Sequence, residues 1–167
     1  LGMVMVMSFA FNKLSYGAIT ALFITYSAVT ELSLSTIFLV YSMASIAKVF
    51  FITAGLFGTM AVLGYTTKTD LTKMGSMLMM GLIGIIIASV VNMFLKSDSF
   101  DYIISCIGVL IFTGLTAYDV QKIKRIGAGV EYGTGTAGKL AIMGALSLYL
   151  DFINLFLFLL RILGRRD

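Results

Sequence analysis

A polytopic bundle of membrane-spanning α-helices is the all-α fold class that this sequence predicts, and two observations predict it. Of the 167 residues, 59% are hydrophobic and only 12% are charged, against about 25% charged in ordinary soluble domains, and the mean hydropathy is +1.02. The apolar residues also fall in blocks of about twenty, the length a helix needs to cross roughly 30 Å of hydrocarbon. Length suggests a single domain. Composition narrows the chemistry further. There is no His, so an imidazole metal site, general base or pH switch is excluded and proton sensing near neutrality falls to carboxylates. Cys106 lies in an apolar run, has no second Cys to pair with, and reads as a small buried hydrophobe. The net charge of +4 is the kind of excess that membrane proteins carry in loops. It predicts no nucleic-acid partner, and no cofactor is expected.

Six hydrophobic segments can be drawn. Residues 1–11 are too short to span and read as the end of a truncated helix. The second segment, residues 16–40, carries Glu31 on one face with Ser27 and Ser35 at four-residue steps, a candidate water-lined path; if the helix ends nearer position 30, Glu31 is an interfacial residue instead. The third, residues 45–65, has Lys48 near its start, placed to snorkel to the interface. The fourth, residues 75–95, sets Gly81, Gly84, Ala88 and Asn92 along one face, which lets a neighbouring helix approach closely. The fifth, residues 102–119, closes on Asp119 after Thr113, Thr116 and Tyr118. The sixth, residues 140–163, places Asp151 near mid-membrane at 1.5 Å per residue. Gly144, Ser147, Asp151 and Asn154 line one face of it, while Leu148, Phe152, Leu155 and Leu159 point elsewhere. The eleven Met and thirteen Phe read as lipid-facing and gap-filling.

Polar connectors separate these segments. Those holding Lys13, Lys68 with Lys73, and Lys122, Lys124 and Arg125 alternate onto one side, which the positive-inside tendency makes cytoplasmic. The connector from Lys96 to Asp101 then faces outward, as does the tail with Arg165 and Arg166, against the rule. The longest connector, Gln121 to Lys139, holds five of the seventeen glycines and reads as a mobile loop. No strand precedes it and no Gly-Lys-Ser/Thr closes it, so it is not a phosphate cradle.

An ionisable residue inside the bilayer costs a few kcal/mol or more and persists mainly where it faces a partner or a cavity. Asp151 is therefore the strongest site signal in the chain. Asp119 has two readings: an interfacial carboxylate paired with Lys122 or Lys124 a turn away, or a functional group. Helices joined by a short connector usually pack side by side, so Asp119 and Asp151 are placed to face one another. A close pair would share a proton. Ionised, it would offer hard oxygen ligands to calcium. Depth stands against pairing, because Asp119 falls near the surface and Asp151 near the middle.

Two stretches carry a family resemblance: Gly114-Leu-Thr-Ala-Tyr118-Asp119-Val-Gln-Lys122-Ile-Lys and Ala145-Leu-Ser147-Leu-Tyr149-Leu-Asp151-Phe-Ile-Asn154-Leu-Phe. They closely resemble the last two helices of the transmembrane Bax inhibitor motif family, and Gly64-Tyr-Thr-Thr-Lys68-Thr-Asp70-Leu resembles the connector before its fifth helix. The resemblance covers essentially the whole chain, residues 1–167, as one transmembrane domain lacking the family's first helix and part of its second. It implies a seven-helix bundle with the last helix surrounded, and a pH-sensitive calcium leak in which Asp119 and Asp151 match the paired aspartates that govern opening. Where bacterial members carry arginines before the third helix, this chain reads Phe11-Asn12-Lys13.

Three functions compete. The first is a pH-gated leak with calcium and protons as its ligands, Asp119 and Asp151 as sensor, gate and calcium ligands, and Glu31, Ser147 and Asn154 along the path. The second is an intramembrane aspartyl protease; Tyr118-Asp119 fits its first motif, but the residues before Asp151 are not Gly-x-Gly and a chain without Pro cannot supply the third. The third is a non-conducting scaffold for other membrane proteins. Short loops point to a bacterial inner membrane, with the lipid bilayer as the common partner.

Overall fold

The computed structural model describes residues 13–129 and 134–164. The expected helix end at residues 1–11, Glu131 and Gly133 of the long connector, and the tail arginines lie outside the described residues. Six helices follow in order: α1 (Tyr16–Leu34), the short α2 (Ile37–Val40), α3 (Met43–Thr66), α4 (Thr72–Leu95), α5 (Asp98–Ala128) and α6 (Gly135–Leu163). Five spans are long and apolar enough to cross a membrane, and no strand occurs among the described residues.

Local chemistry sets most of the starts. Ser15, Ser42, Ser97 and Thr134 each accept a backbone N–H from three residues on, which satisfies one of the donors a helix leaves open at its N-terminus. Between α4 and α5 the chain reverses in two residues. Lys96 takes a left-handed conformation with φ of 50°, costly for a side chain with a Cβ, and Asn92 Oδ1 accepts the Ser97 N–H at 3.1 Å to hold the turn. Asn92, expected along the close-packing face of this helix, instead caps the turn at its end.

Three boundaries differ from expectation. Segment 16–40 is not one helix: the Ser35 hydroxyl donates to Leu32 O at 2.6 Å, and the Ser35 N–H is divided between Glu31 O and Leu32 O. This tightens the last turn of α1 and ends it. The fifth segment runs on for nine residues past Asp119, giving a 31-residue helix about 46 Å long. The Gln121–Lys139 connector shrinks accordingly, since residues 121–128 are helical, Gly135 and Gly138 open α6, and Gly127 lies within α5. The anticipated glycine-rich loop is mostly helix.

Packing places α5 and α6 inside. The final helix packs against α5, α3 and α1, and α5 packs against α6, α3 and α4. The main core joins Ile104, Ile111, Phe112 and Leu115 of α5 to Leu155, Phe156, Leu159 and Leu160 of α6. Helix α1 runs parallel to α6, with Tyr16 against Gly138 and Ile19 packed with Leu146. Alternation brings Lys13, Lys68, Lys73, Lys122, Lys124, Arg125 and Lys139 to one end of the bundle. At the other end Arg161 pairs with Asp101 at 3.3 Å. Along α4, Gly81 meets Ile111 and Ala88 joins the core, but Gly84 meets nothing within 4 Å. The expected small-residue face is therefore only partly a packing face.

Candidate functional site

Successive residues of a helix point about 100° apart, and at positions 117–119 of α5 they meet three different helices. A Cβ at Gly64 of α3 would collide with the Ala117 backbone, and the Tyr118 ring lies over Gly75 of α4. Asp119 faces α6. One turn further on, Gly144 of α6 takes the Ile123 side chain against it. Glycine at 64, 75 and 144 lets three helices close on α5 at the depth of Asp119, because any larger side chain would hold the backbones apart.

Asp151 is 4% exposed, in the middle of the 29-residue α6. Its carboxyl group lies beside that of Asp119, and its Oδ2 is buried without a hydrogen-bond partner. These two facts agree once the proton is counted. Two ionised carboxylates are both acceptors, so their contact is a hydrogen bond only when one holds a proton. An Asp151 ionised here would be a buried charge with no counter-ion. Because α5 continues past Asp119, both acids lie inside their helices.

The interfacial alternative for Asp119 depended on Lys122 or Lys124. Among the described residues the ion pairs are Arg125–Asp70 and Arg161–Asp101. Lys124 instead donates to Tyr65 O at 2.7 Å and stands 4.5 Å from the centre of the Tyr65 ring, and Lys122 lies 6.0 Å from that of Tyr118.

The other candidates spread out. Ser147 is half-buried one turn before Asp151. The Asn154 amide donates to Leu150 O in its own helix at 2.8 Å. Glu31 is exposed in the last turn of α1 and lies near Tyr149, whereas the carboxyl that neighbours Asp151 is Asp119. Among the described residues no cluster of three or more carboxylate, Cys or His groups surrounds the pair, so calcium bound there would take its remaining oxygens from carbonyls or water.

Sequence reasoning missed two polar groups. The Tyr149 hydroxyl is buried without a hydrogen-bond partner, and its ring meets Tyr26 edge-on at 6.5 Å; two positions from Asp151, it lies toward α1 rather than α5. Gln121 is 5% exposed. Its Oε1 accepts the Leu71 N–H at 2.9 Å and its Nε2 donates to Thr69 O at 2.8 Å. Beside it Arg125 reaches Asp70 at 2.9 Å and Thr72 Oγ1 at 3.3 Å. Asp70 also accepts from the Thr72 hydroxyl and N–H, and these donors, Thr72 first and then Arg125, hold its carboxyl well below the usual carboxylate range. A neutral Gln beside Lys122, Lys124 and Arg125 carries no local sign of burial; its partners lie fifty residues away.

The family model described as "Inhibitor of apoptosis-promoting Bax1" matches residues 1–167. The chain is 54% identical over 167 residues to the inner membrane protein YbhL of Escherichia coli, covering 99% of this chain and 71% of that protein. It is 56% identical over 165 residues to an uncharacterized protein of Borreliella burgdorferi, with 99% and 71% covered. With an uncharacterized membrane protein of Streptococcus pyogenes it shares 42% identity over 146 residues, covering 87% of this chain and 63% of that protein.

Proposed function

The chain belongs to the Bax inhibitor-1 family, and from that membership and the geometry of its acid pair we propose that it is a pH-sensitive calcium leak in a bacterial inner membrane, where YbhL resides. The observation that carries the reading is the buried Asp151 oxygen without a donor, on a carboxyl that meets Asp119 across the α5–α6 seam.

The mechanism follows from counting protons. With one proton between them, the two carboxyls join α5 to α6 by a hydrogen bond strengthened by the low dielectric around it. Without it, two like charges face one another in a buried seam, which is costly unless water or a cation enters. Proton occupancy therefore biases an equilibrium between arrangements of the bundle. The ionised oxygens are the hard ligands that calcium prefers, so the group that senses protons also offers the passing ion a site. Tight glycine contacts around positions 117–119 make the seam responsive, because packed helices have discrete arrangements rather than a continuous range.

The test is calcium flux into liposomes that hold the purified protein and an entrapped indicator, measured across pH. Flux above that of empty liposomes, varying with pH, is expected, and Asp151→Asn should flatten the profile. A protein that passes no more calcium than empty liposomes removes the leak reading and leaves the scaffold. An unchanged profile in Asp151→Asn removes the acid pair as sensor.

A further inference from the structure

At the basic end of the bundle an open groove of about 560 Å³ runs down the outside of α4, lined by Asp70, Lys73, Met74, Ser76, Met77 and Met80. It lies on the face of α4 turned away from α5, since Gly75 and Leu78 make the contacts to Tyr118 and Gly114. Its two ends differ in chemistry. Met77 and Met80 are 62% and 65% exposed, on a helix that crosses the membrane, so they face lipid chains. The charged rim lies at the first turn of that helix, at the membrane interface.

The rim is electrostatically one-sided. Along the α3–α4 connector, the first turn of α4 and the last two turns of α5, the described basic residues Lys68, Lys73, Lys122, Lys124 and Arg125 accompany one acid, Asp70. That acid is already matched by Arg125 and Thr72. Lys73 makes no hydrogen bond or ion pair among the described residues. An uncommitted ammonium at the interface attracts anionic lipid, by about a fivefold preference per residue, and unbranched thioether side chains conform readily to a flexible chain.

We infer that this groove seats an anionic glycerophospholipid, its phosphate on Lys73 and the Ser76 hydroxyl and one acyl chain along Met74, Met77 and Met80. A lipid held there braces the start of α4 where Gly75 closes on Tyr118, one residue from Asp119.

Native mass spectrometry of the full chain in detergent tests this, with phosphatidylglycerol and phosphatidylcholine of identical acyl chains added in equal amounts. Phosphatidylglycerol adducts should exceed phosphatidylcholine adducts by roughly fivefold, the ratio one interfacial Lys supplies. Lys73→Gln should bring the two to parity, Lys96→Gln at the opposite end should leave the ratio unchanged, and excess inorganic phosphate should not displace the lipid. Parity in the unaltered protein overturns the proposal without recourse to any variant. So does a preference that survives Lys73→Gln, one that Lys96→Gln also abolishes, or displacement by phosphate.

Discussion

Helix α5 makes two kinds of polar contact about one turn apart, and they contrast sharply. Beyond Asp119, its last turns grip the end of α3 and the connector to α4: Gln121 answers one N–H and one C=O, Lys124 a further carbonyl, and Arg125 the Asp70 carboxyl. In that clamp the described donors and acceptors match. At Asp119 the same helix meets Asp151 across the seam, where an oxygen is buried with no donor at all. A matched buried network rigidifies a fold, and an unmatched acceptor is paid for elsewhere. The clamp reads as architecture, and the seam is where the proposed proton sensing would act.

The largest effects should come from the seam. Asp151→Asn is expected to abolish the pH dependence of calcium flux, and Asp119→Asn to do the same, because the proposed proton sharing needs both carboxyls. If only one variant flattens the profile, the two carboxyls do not act as a pair.

Next should come the close approach on which both regions depend. Gly64→Ala drives a methyl group into the Ala117 backbone, and overpacking of this kind costs about 1–3 kcal/mol. Gly84→Ala, which meets nothing, should leave stability unchanged or raise it by about 0.5–1 kcal/mol through helix propensity. Thermal unfolding of both variants in one detergent decides this, and equal midpoints would remove the glycine contacts as the cause of the spacing.

Gln121→Ala strands the Leu71 N–H and the Thr69 carbonyl, and each loss costs about 1–3 kcal/mol where the group stays buried, less where water reaches it. The expected signature is a lower unfolding midpoint with an unchanged pH profile of flux. A shifted profile would mean that clamp and seam are one element.

The smallest effect belongs to Asp70. A carboxyl whose pKa is depressed by folding adds stability above its unfolded value and loses it as pH falls through the folded one. For Asp70 both values lie well below neutrality, so the clamp does not titrate between about pH 5 and 8. Asp70→Asn should lower the unfolding midpoint slightly in dilute buffer, with the difference fading in high salt because the pair is exposed and screened. Its flux profile should keep the shape of the unaltered protein.

The polar face of α6 was legible because an acid flanked at helical steps by Gly144, Ser147 and Asn154 stands out in an apolar segment. The end of α5 was misplaced for an equally physical reason. After Asp119 hydropathy falls and charge rises, which marks where a helix leaves the bilayer, not where it stops. Residues 121–128 stay helical where Gln121, Lys124 and Arg125 find partners on the end of α3 and the connector after it, 50 to 59 residues earlier in the chain. With that extension Asp119 stands nine residues inside its helix rather than at its end.

Forces that act between near neighbours in the chain explain what could be read directly: apolar runs long enough to span, serine and threonine caps, and an acid placed by helical periodicity. Which polar groups find partners is a different matter, because the alternation of a helix pattern is indifferent to what stands opposite it. Gln121 is satisfied and Asp151 Oδ2 is not, although both are single polar residues in long helices. Only the packing of α3, α4 and α6 around α5 decides between them, since a hydrogen bond requires donor and acceptor within about 3 Å and that proximity is created by the tertiary fold.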